Sequence, residues 1–130
     1  MTKPVILDTN AVIHFVQAYD MLKFSIVAQT LSNNKCYIPI EVIVESVYIL
    51  DGKFQNDRQT IADKLKDFVV IQEGLISETN TVVFALNLYV STKLDFVDCL
   101  LAGYAKVNGH NVLTFDGTLK KELAGQAYIP

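Results

Sequence analysis

Short apolar runs, separated by longer segments with helical spacing, are the feature of this sequence that most restricts its fold. The runs at residues 5–7, 36–39, 69–71 and 111–115 predict buried strands, and residues 127–129 predict an edge strand. Parallel pairing is expected because a parallel crossover needs a long connection, which the helical segments supply. The sequence therefore predicts an α/β fold, with helices on both faces of a parallel sheet, in a single domain over the whole chain.

The helical segments are bounded by residues that favour helix ends. Thr9 and Asn10 are suitable N-caps for the first helix, Asp57 for the fourth, and Gly109 for a left-handed C-cap. The predicted helices cover residues 11–18, 21–31, 40–50, 58–68, 77–94, 95–107 and 117–123. The stretch 82–90 is apolar nearly all round, so it must be buried centrally or meet a partner, and we expect it to contribute to a dimer interface.

Composition and charge limit the classes of function. A hydrophobic share of 51% indicates a folded globular protein. The net charge of −3 argues against a broad basic coat for nucleic acid, but not against nucleic acid as the substrate of an enzyme whose carboxylates bind cations. Cys36 and Cys99 lie among apolar neighbours and are expected to be buried thiols, which favours a reducing, cytoplasmic setting. No membrane association is expected, because no apolar stretch reaches the length of a membrane span.

Two aspartates each follow a predicted strand, Asp8 after the first and Asp116 after the fourth. The carboxyl ends of parallel strands meet at one edge of a sheet, where ligands bind, so these side chains should lie close together. Unpaired carboxylates there would repel one another unless a cation holds them. Taken singly, each has a structural explanation, since Asp8 could cap a helix and Asp116 could begin a turn with Gly117.

Three further acids extend this pattern. Asp95 and Asp98 are three residues apart in the opening turn of a predicted helix, and Glu45 lies in the middle of the helix after the second strand. Asp95 could be a helix cap and Glu45 a solvated helix residue. Converging carboxylates without a nearby histidine or cysteine ligand form an all-oxygen site suited to Mg²⁺ or Mn²⁺. Such ions orient a phosphodiester and activate water, so the expected reaction is hydrolytic phosphoryl transfer.

The order of these motifs resembles that of the PIN-domain ribonucleases and, within them, the toxin subunit of VapBC-type toxin–antitoxin systems. The segment Ile-Leu-Asp-Thr-Asn resembles the first family motif, in which Asp8 would bind metal and Thr9 and Asn10 would support it. The Ile-Pro pair and the later Val-Ile-Val-Glu are similar to the second motif. This similarity places the family glutamate at Glu45 and not at Glu41.

The third and fourth motifs lie in the second half of the chain. Asp-Phe-Val-Asp resembles the third motif, with Asp98 as the principal acid and Asp95 as a secondary one. Leu-Thr-Phe-Asp resembles the fourth, with Thr114 in support and Asp116 as the last acid. The resemblance thus implies four catalytic and metal-binding acids, with Asp95 as a fifth metal ligand: Asp8, Glu45, Asp98 and Asp116.

The resemblance also implies an architecture and partners. The expected fold is a three-layer α/β/α sandwich with a central parallel sheet, and the expected activity is cleavage of single-stranded or loop RNA with bound Mg²⁺ or Mn²⁺. A homodimer and a cognate antitoxin that inserts a peptide into the site are implied as well. The alternatives are a PIN nuclease of RNA processing outside a toxin system and a catalytically silent RNA- or protein-binding PIN scaffold. A phosphatase or receiver domain is disfavoured because Asp8 lacks a second aspartate two residues later.

Overall fold

The computed structural model describes residues 3–71 and 78–129. Its contacts divide the chain into two compact units, Met1–Ser77 and Glu78–Pro130, which we call the N-terminal unit and the C-terminal unit. The described residues are mostly helical, with a small parallel sheet.

The N-terminal unit contains the sheet. Strand β1 (Val5–Ile6) pairs in parallel with β2 (Cys36–Tyr37), which confirms the pairing expected for the first two predicted strands. The helices of this unit are α1 (Thr9–Gln17), α2 (Met21–Asn33), α3 (Ile40–Gly52) and α4 (Arg58–Ile71). Helix α1 contacts the other three helices, and its buried side chains include Val12 and Ile13.

The C-terminal unit is built on a helix pair. Its elements are α5 (Thr79–Ser91), α6 (Phe96–Asn108), α7 (Gly117–Leu123) and a 3₁₀ turn (Ala124–Gln126). Helix α5 packs on α6, and α6 contacts α7. The buried side chains of α5 are Thr81, Val82, Ala85, Leu86 and Tyr89. Burial within the chain therefore covers much of the apolar stretch 82–90, and a dimer interface there stays a prediction.

The prediction of a strand at residues 69–71 is wrong, because α4 continues through this segment. The buried residues of α4 are Ile61, Ala62, Leu65, Phe68 and Val69, while Val70 is exposed. Burial at positions one, four, seven and eight residues beyond the first is the spacing of a helix face, whereas a strand would bury alternate residues. Val69 therefore extends the buried apolar face of the helix.

The prediction of a buried strand at residues 111–115 is also wrong. Within the C-terminal unit, Val112 forms only an isolated parallel bridge with Ala127, so the predicted edge strand at 127–129 is likewise reduced to one bridging residue. Leu113 is 58% exposed and Phe115 is 92% exposed. An extended segment is stabilised as a strand by a continuous row of backbone hydrogen bonds. The bridge supplies two: the Val112 N–H donates to the Gln126 carbonyl at 2.9 Å, and the Tyr128 N–H donates to the Val112 carbonyl at 2.7 Å.

Most predicted helix ends are close to the observed ones. Asp57 Oδ1 accepts a hydrogen bond from the Thr60 N–H at 2.8 Å, and Gly109 forms a left-handed C-cap with φ of 76°. The first helix differs, because its N-cap is Asp8, and Thr9 and Asn10 are its first two residues. The predicted start of the fifth helix at residue 77 lies outside the described residues.

Both cysteines are buried and free, as predicted. Desolvation by burial raises the pKa of the Cys36 thiol. In the described ranges, no single helix is long and apolar enough to cross a membrane. Helices α1 and α2 reach the length and apolar composition of a membrane span only when they are taken together, and the chain bends by 111° between them.

Close packing between α5 and α6 depends on Gly103. A Cβ atom built at this position would lie 3.0 Å from Thr81 Cγ2 and 3.1 Å from the Thr81 carbonyl oxygen. We expect Gly103→Ala to lower the free energy of unfolding by about 1 kcal/mol, because the overpacking cost exceeds the gain in helix propensity. Gly52→Ala is the matched control, since nothing lies within 4 Å of the added Cβ. Urea unfolding measures both, and a Gly103→Ala protein more stable than wild type would contradict this packing.

Candidate functional site

Asp8 stands at the junction of β1 and α1. The Leu7 N–H donates to the Tyr37 carbonyl at 3.0 Å, which holds the chain beside β2 up to the residue before Asp8. Asp8 then has extended backbone angles, and its Oδ1 accepts a hydrogen bond from the Ala11 N–H at 2.9 Å. The carboxylate is exposed and therefore caps the helix without being withdrawn from solvent.

Glu45 is positioned by the burial of the opposite side of α3. Ile43, Val47 and Leu50 are fully buried, and the Ser46 hydroxyl donates to the Val42 carbonyl at 2.7 Å. Burial of the apolar side chains fixes the rotation of the helix about its axis and leaves Glu45 exposed.

Asp8 and Glu45 line the same cavity, which has a volume of about 360 Å³. The cavity lies in the N-terminal unit and is formed by α1, α3 and the segments that follow them. Its lining consists of polar and apolar residues: Asp8, Thr9, Asn10, Ile13, Tyr19, Val42, Glu45, Ile49, Lys53 and Phe54. The structure thus brings together four of the residues proposed from the sequence, two acids and the Thr-Asn pair.

The acids of the C-terminal unit stand at the starts of two helices. Asp95 is the N-cap residue of α6 and makes no side-chain capping hydrogen bond, and Asp98 lies half-buried in the first turn. Asp116 caps α7 through a hydrogen bond from the Leu119 N–H to its Oδ1 at 2.8 Å. The Asp116 N–H in turn donates to the Thr114 hydroxyl oxygen at 3.1 Å. Thr114 therefore shapes the backbone that carries Asp116.

These three acids interact electrostatically. The pKa of Asp98 is raised, first by desolvation and then by repulsion from Asp116 and from Asp95. Repulsion of this kind disfavours the charged form of the carboxyl group. A bound cation would reverse the effect, because it would interact favourably with all three groups.

The raised pKa of Asp98 has a consequence for stability. The folded state disfavours the Asp98 carboxylate, so ionisation of this group destabilises the fold at neutral pH. The destabilisation is relieved as the pH falls through the raised pKa of the folded state towards the pKa of the unfolded chain, near 3.8. Without metal, Asp98→Asn is therefore expected to raise the unfolding temperature at pH 7 by about 1–3 °C. The difference from wild type should narrow as the pH is lowered towards 4.

Thermal unfolding in EDTA at several pH values measures this difference, with Asp67→Asn as the control at an exposed position of α4. An Asp98→Asn protein less stable than wild type at pH 7 would contradict the repulsion.

The donor chemistry of the acids fits a hard divalent cation, since every candidate ligand is a carboxylate. In the described part of each unit, no three side chains of histidine, cysteine, aspartate or glutamate form a group that could hold a metal ion. Each unit therefore presents a partial set of oxygen ligands, two acids in the N-terminal unit and three in the C-terminal unit.

Several lining residues of the cavity were not foreseen from the sequence, and among them are an aromatic pair and a lysine that lie outside the helices. Tyr19 follows the end of α1, and Lys53 and Phe54 follow the end of α3. No local pattern marks them, because they are ordinary loop residues until the packing of α1 against α3 brings the two helix ends together.

Comparison with known proteins agrees with the motifs. No curated protein and no solved structure gives a significant match. The PIN domain family matches residues 5–121, a range that contains all five acids and most of each unit. Because the match covers most of the chain, this protein belongs to the PIN domain family.

Proposed function

We propose that this PIN domain is a Mg²⁺- or Mn²⁺-dependent endoribonuclease and the toxin of a VapBC-type toxin–antitoxin pair. The half-buried Asp98, whose pKa is raised by desolvation and by repulsion from Asp116 and Asp95, is the observation that carries the proposal. Carboxylates held close enough to repel one another reduce stability, and a cation that binds phosphate would account for their placement. The family match, over a range that includes these acids, favours nuclease chemistry.

We also propose the three-layer α/β/α sandwich as the architecture of the active protein. In such a sandwich, ligands bind at the carboxyl edge of the parallel sheet, and Asp8 follows β1 at that edge. The parallel pairing of β1 with β2 and the parallel bridge between Val112 and Ala127 are consistent with this proposal.

The ion would be held by Asp8, Glu45, Asp98 and Asp116, with Asp95 as a secondary ligand. When bound, it supplies orientation of the phosphodiester, activation of water and neutralisation of charge on the leaving oxygen. The chain contributes fixed carboxylates. Asp8 Oδ1 is held by the Ala11 N–H and Asp116 Oδ1 by the Leu119 N–H, so neither side chain must be ordered when substrate arrives.

Metal dependence is the direct test of this function. We expect the protein to cleave internally labelled single-stranded RNA with Mg²⁺ or Mn²⁺, to lose this activity in EDTA, and to regain it when either ion is restored in excess. Calorimetry of the apo protein should show binding of Mn²⁺. Absence of both cleavage and metal binding would contradict the proposal and favour a silent PIN scaffold.

The partners are proposals of the same kind. A cytoplasmic homodimer with RNA as substrate and an antitoxin as inhibitor follows from the toxin assignment. A small open reading frame for a protein with a DNA-binding N-terminus, directly upstream of the gene, would support the toxin role. Light scattering at micromolar concentration tests the homodimer, and a clean monomer would contradict it.

A further inference from the structure

The cavity that Asp8 and Glu45 line has a second wall, whose residues have no role in the proposed metal site. This wall is formed by Tyr19, Phe54 and Lys53. The rings of Tyr19 and Phe54 lie 5.5 Å apart at an angle of 49°, and Lys53 Nζ lies 5.6 Å from the centroid of the Phe54 ring. Two aromatic rings and one ammonium group thus face the same space as two carboxylates.

Tyr19 is held in place but is still accessible. It follows Ala18, whose left-handed backbone (φ 51°) ends α1. Its ring stacks on the buried His14 at a centroid distance of 4.8 Å, and the Tyr19 hydroxyl lies 3.4 Å from His14 Nε2. The side chain is nevertheless 56% exposed. A large aromatic surface is therefore ordered without being covered.

Hydrogen bonds also order the segment that carries Lys53 and Phe54. The N–H groups of both residues donate to the Ile49 carbonyl, at 2.9 and 3.3 Å. Asn56 donates its N–H to the Leu50 carbonyl at 2.9 Å, and its side-chain Nδ2 donates to Gln17 Oε1 at 3.1 Å. The last bond joins this segment to the end of α1, just before Tyr19. The second wall is consequently formed before any ligand binds.

We propose that Tyr19, Phe54 and Lys53 form a subsite for one unpaired nucleobase and its phosphate in single-stranded RNA. The base would stack on the aromatic rings, which bind any base through its π-face, and the Lys53 ammonium would bind a backbone phosphate. The volume of about 360 Å³ is within the usual range of small-ligand pockets, about 300–1,000 Å³. This inference rests on the proposed nuclease function, because Asp8 and Glu45 would lie beside the phosphodiester that follows the bound base.

The subsite can be tested by binding, separately from cleavage. The probe is a short labelled single-stranded RNA, compared with a strand of equal length that keeps the ribose-phosphate backbone but lacks bases. Fluorescence anisotropy with Mg²⁺ gives Kd for each strand in the Asp98→Asn background, in which the strand should stay intact. Tyr19→Ala is expected to raise Kd for the RNA about five- to a hundredfold and to leave Kd for the abasic strand unchanged.

Lys53→Gln should behave differently from Tyr19→Ala. It should raise Kd for both the RNA and the abasic strand. The slope of log K against log salt concentration should become shallower by about 0.7, the value for one phosphate contact in a single strand. The matched controls are Tyr48→Ala and Lys35→Gln. Tyr48 is a partly exposed tyrosine of α3 outside the cavity lining, and Lys35 is an exposed lysine. Neither control should change Kd for either strand.

Tyr19→Leu is the second variant that should raise Kd for the RNA, since leucine keeps apolar bulk against His14 but has no π-face. Tyr19→Phe keeps the ring and should bind the RNA like the parent protein. Circular dichroism identifies any variant that fails to fold. Unchanged RNA affinity in the folded Tyr19→Ala and Tyr19→Leu proteins, as a peptide occupant would give, overturns the subsite. An equal loss of affinity for the RNA and for the abasic strand overturns it as well. Lack of cleavage by the wild-type protein would contradict only the nuclease function, because the two-strand comparison still decides the subsite.

Discussion

Replacing Asp8 and Asp98 together with asparagine is expected to bring RNA cleavage below detection while the protein remains folded. Each single change should lower kcat/KM at least about a hundredfold, because it removes a carboxylate that is proposed to bind the metal ion at the reacting phosphodiester. The two losses should be less than multiplicative, because the proposed function has both acids act in the same catalytic step. Folding should survive because asparagine is as good an N-cap as aspartate, so the bond from the Ala11 N–H to residue 8 can be kept.

Single-turnover cleavage of an RNA panel with Mg²⁺ measures this effect, and circular dichroism checks the fold. Helix α3 offers a matched pair of controls. Glu45→Gln should lose activity because Glu45 lines the cavity with Asp8, and Glu41→Gln, one turn earlier and outside the lining, should not. Unchanged cleavage by the Asp8 and Asp98 double variant would show that the site assignment is wrong.

Phe96→Ala is expected to be the most destabilising of the substitutions considered. Phe96 is fully buried at the start of α6, and its ring meets Tyr89 of α5 edge-on, with centroids 5.7 Å apart. Loss of this side chain should lower the free energy of unfolding by about 3–5 kcal/mol, through lost burial and the cavity left behind. The unfolding temperature should fall by about 10–20 °C.

This substitution also bears on the site, because Phe96 lies between Asp95 and Asp98 in the sequence. Anchoring of Phe96 against α5 fixes the first turn of α6, and with it both acids. The control is Val97→Ala at the next, exposed position, which should change stability by no more than about 0.5 kcal/mol. A Phe96→Ala protein as stable as the Val97→Ala protein would contradict the packing of this helix start.

The sequence by itself determined the features that depend on neighbours within one or two turns. The helix cap at Asp57 and the left-handed C-cap at Gly109 were predictable, because cap chemistry controls them. The parallel pairing of the first two strands joins distant residues, and it was predictable because the helical segments between the strands supply the long connection that a parallel crossover needs. Asp8 and Asp116 were proposed from their positions after predicted strands as well as from the family resemblance, whereas Glu45 and Asp98 were proposed mainly from the resemblance. The range matched by the family contains all five acids.

Only the tertiary structure decided the features that depend on distant residues. Apolar residues at 69–71 suit a strand or a helix equally, and the burial of Val69 on the same face as Leu65 selected the helix. Residues 111–115 needed a long row of partners to form a strand, and the described C-terminal unit gives them one bridge. Tyr19 and Phe54 meet because α1 packs on α3, a contact between residues far apart in the chain. The five acids were evident in the sequence, but the aromatic wall beside two of them could be found only from packing, because ring contacts leave no periodic signal in a sequence.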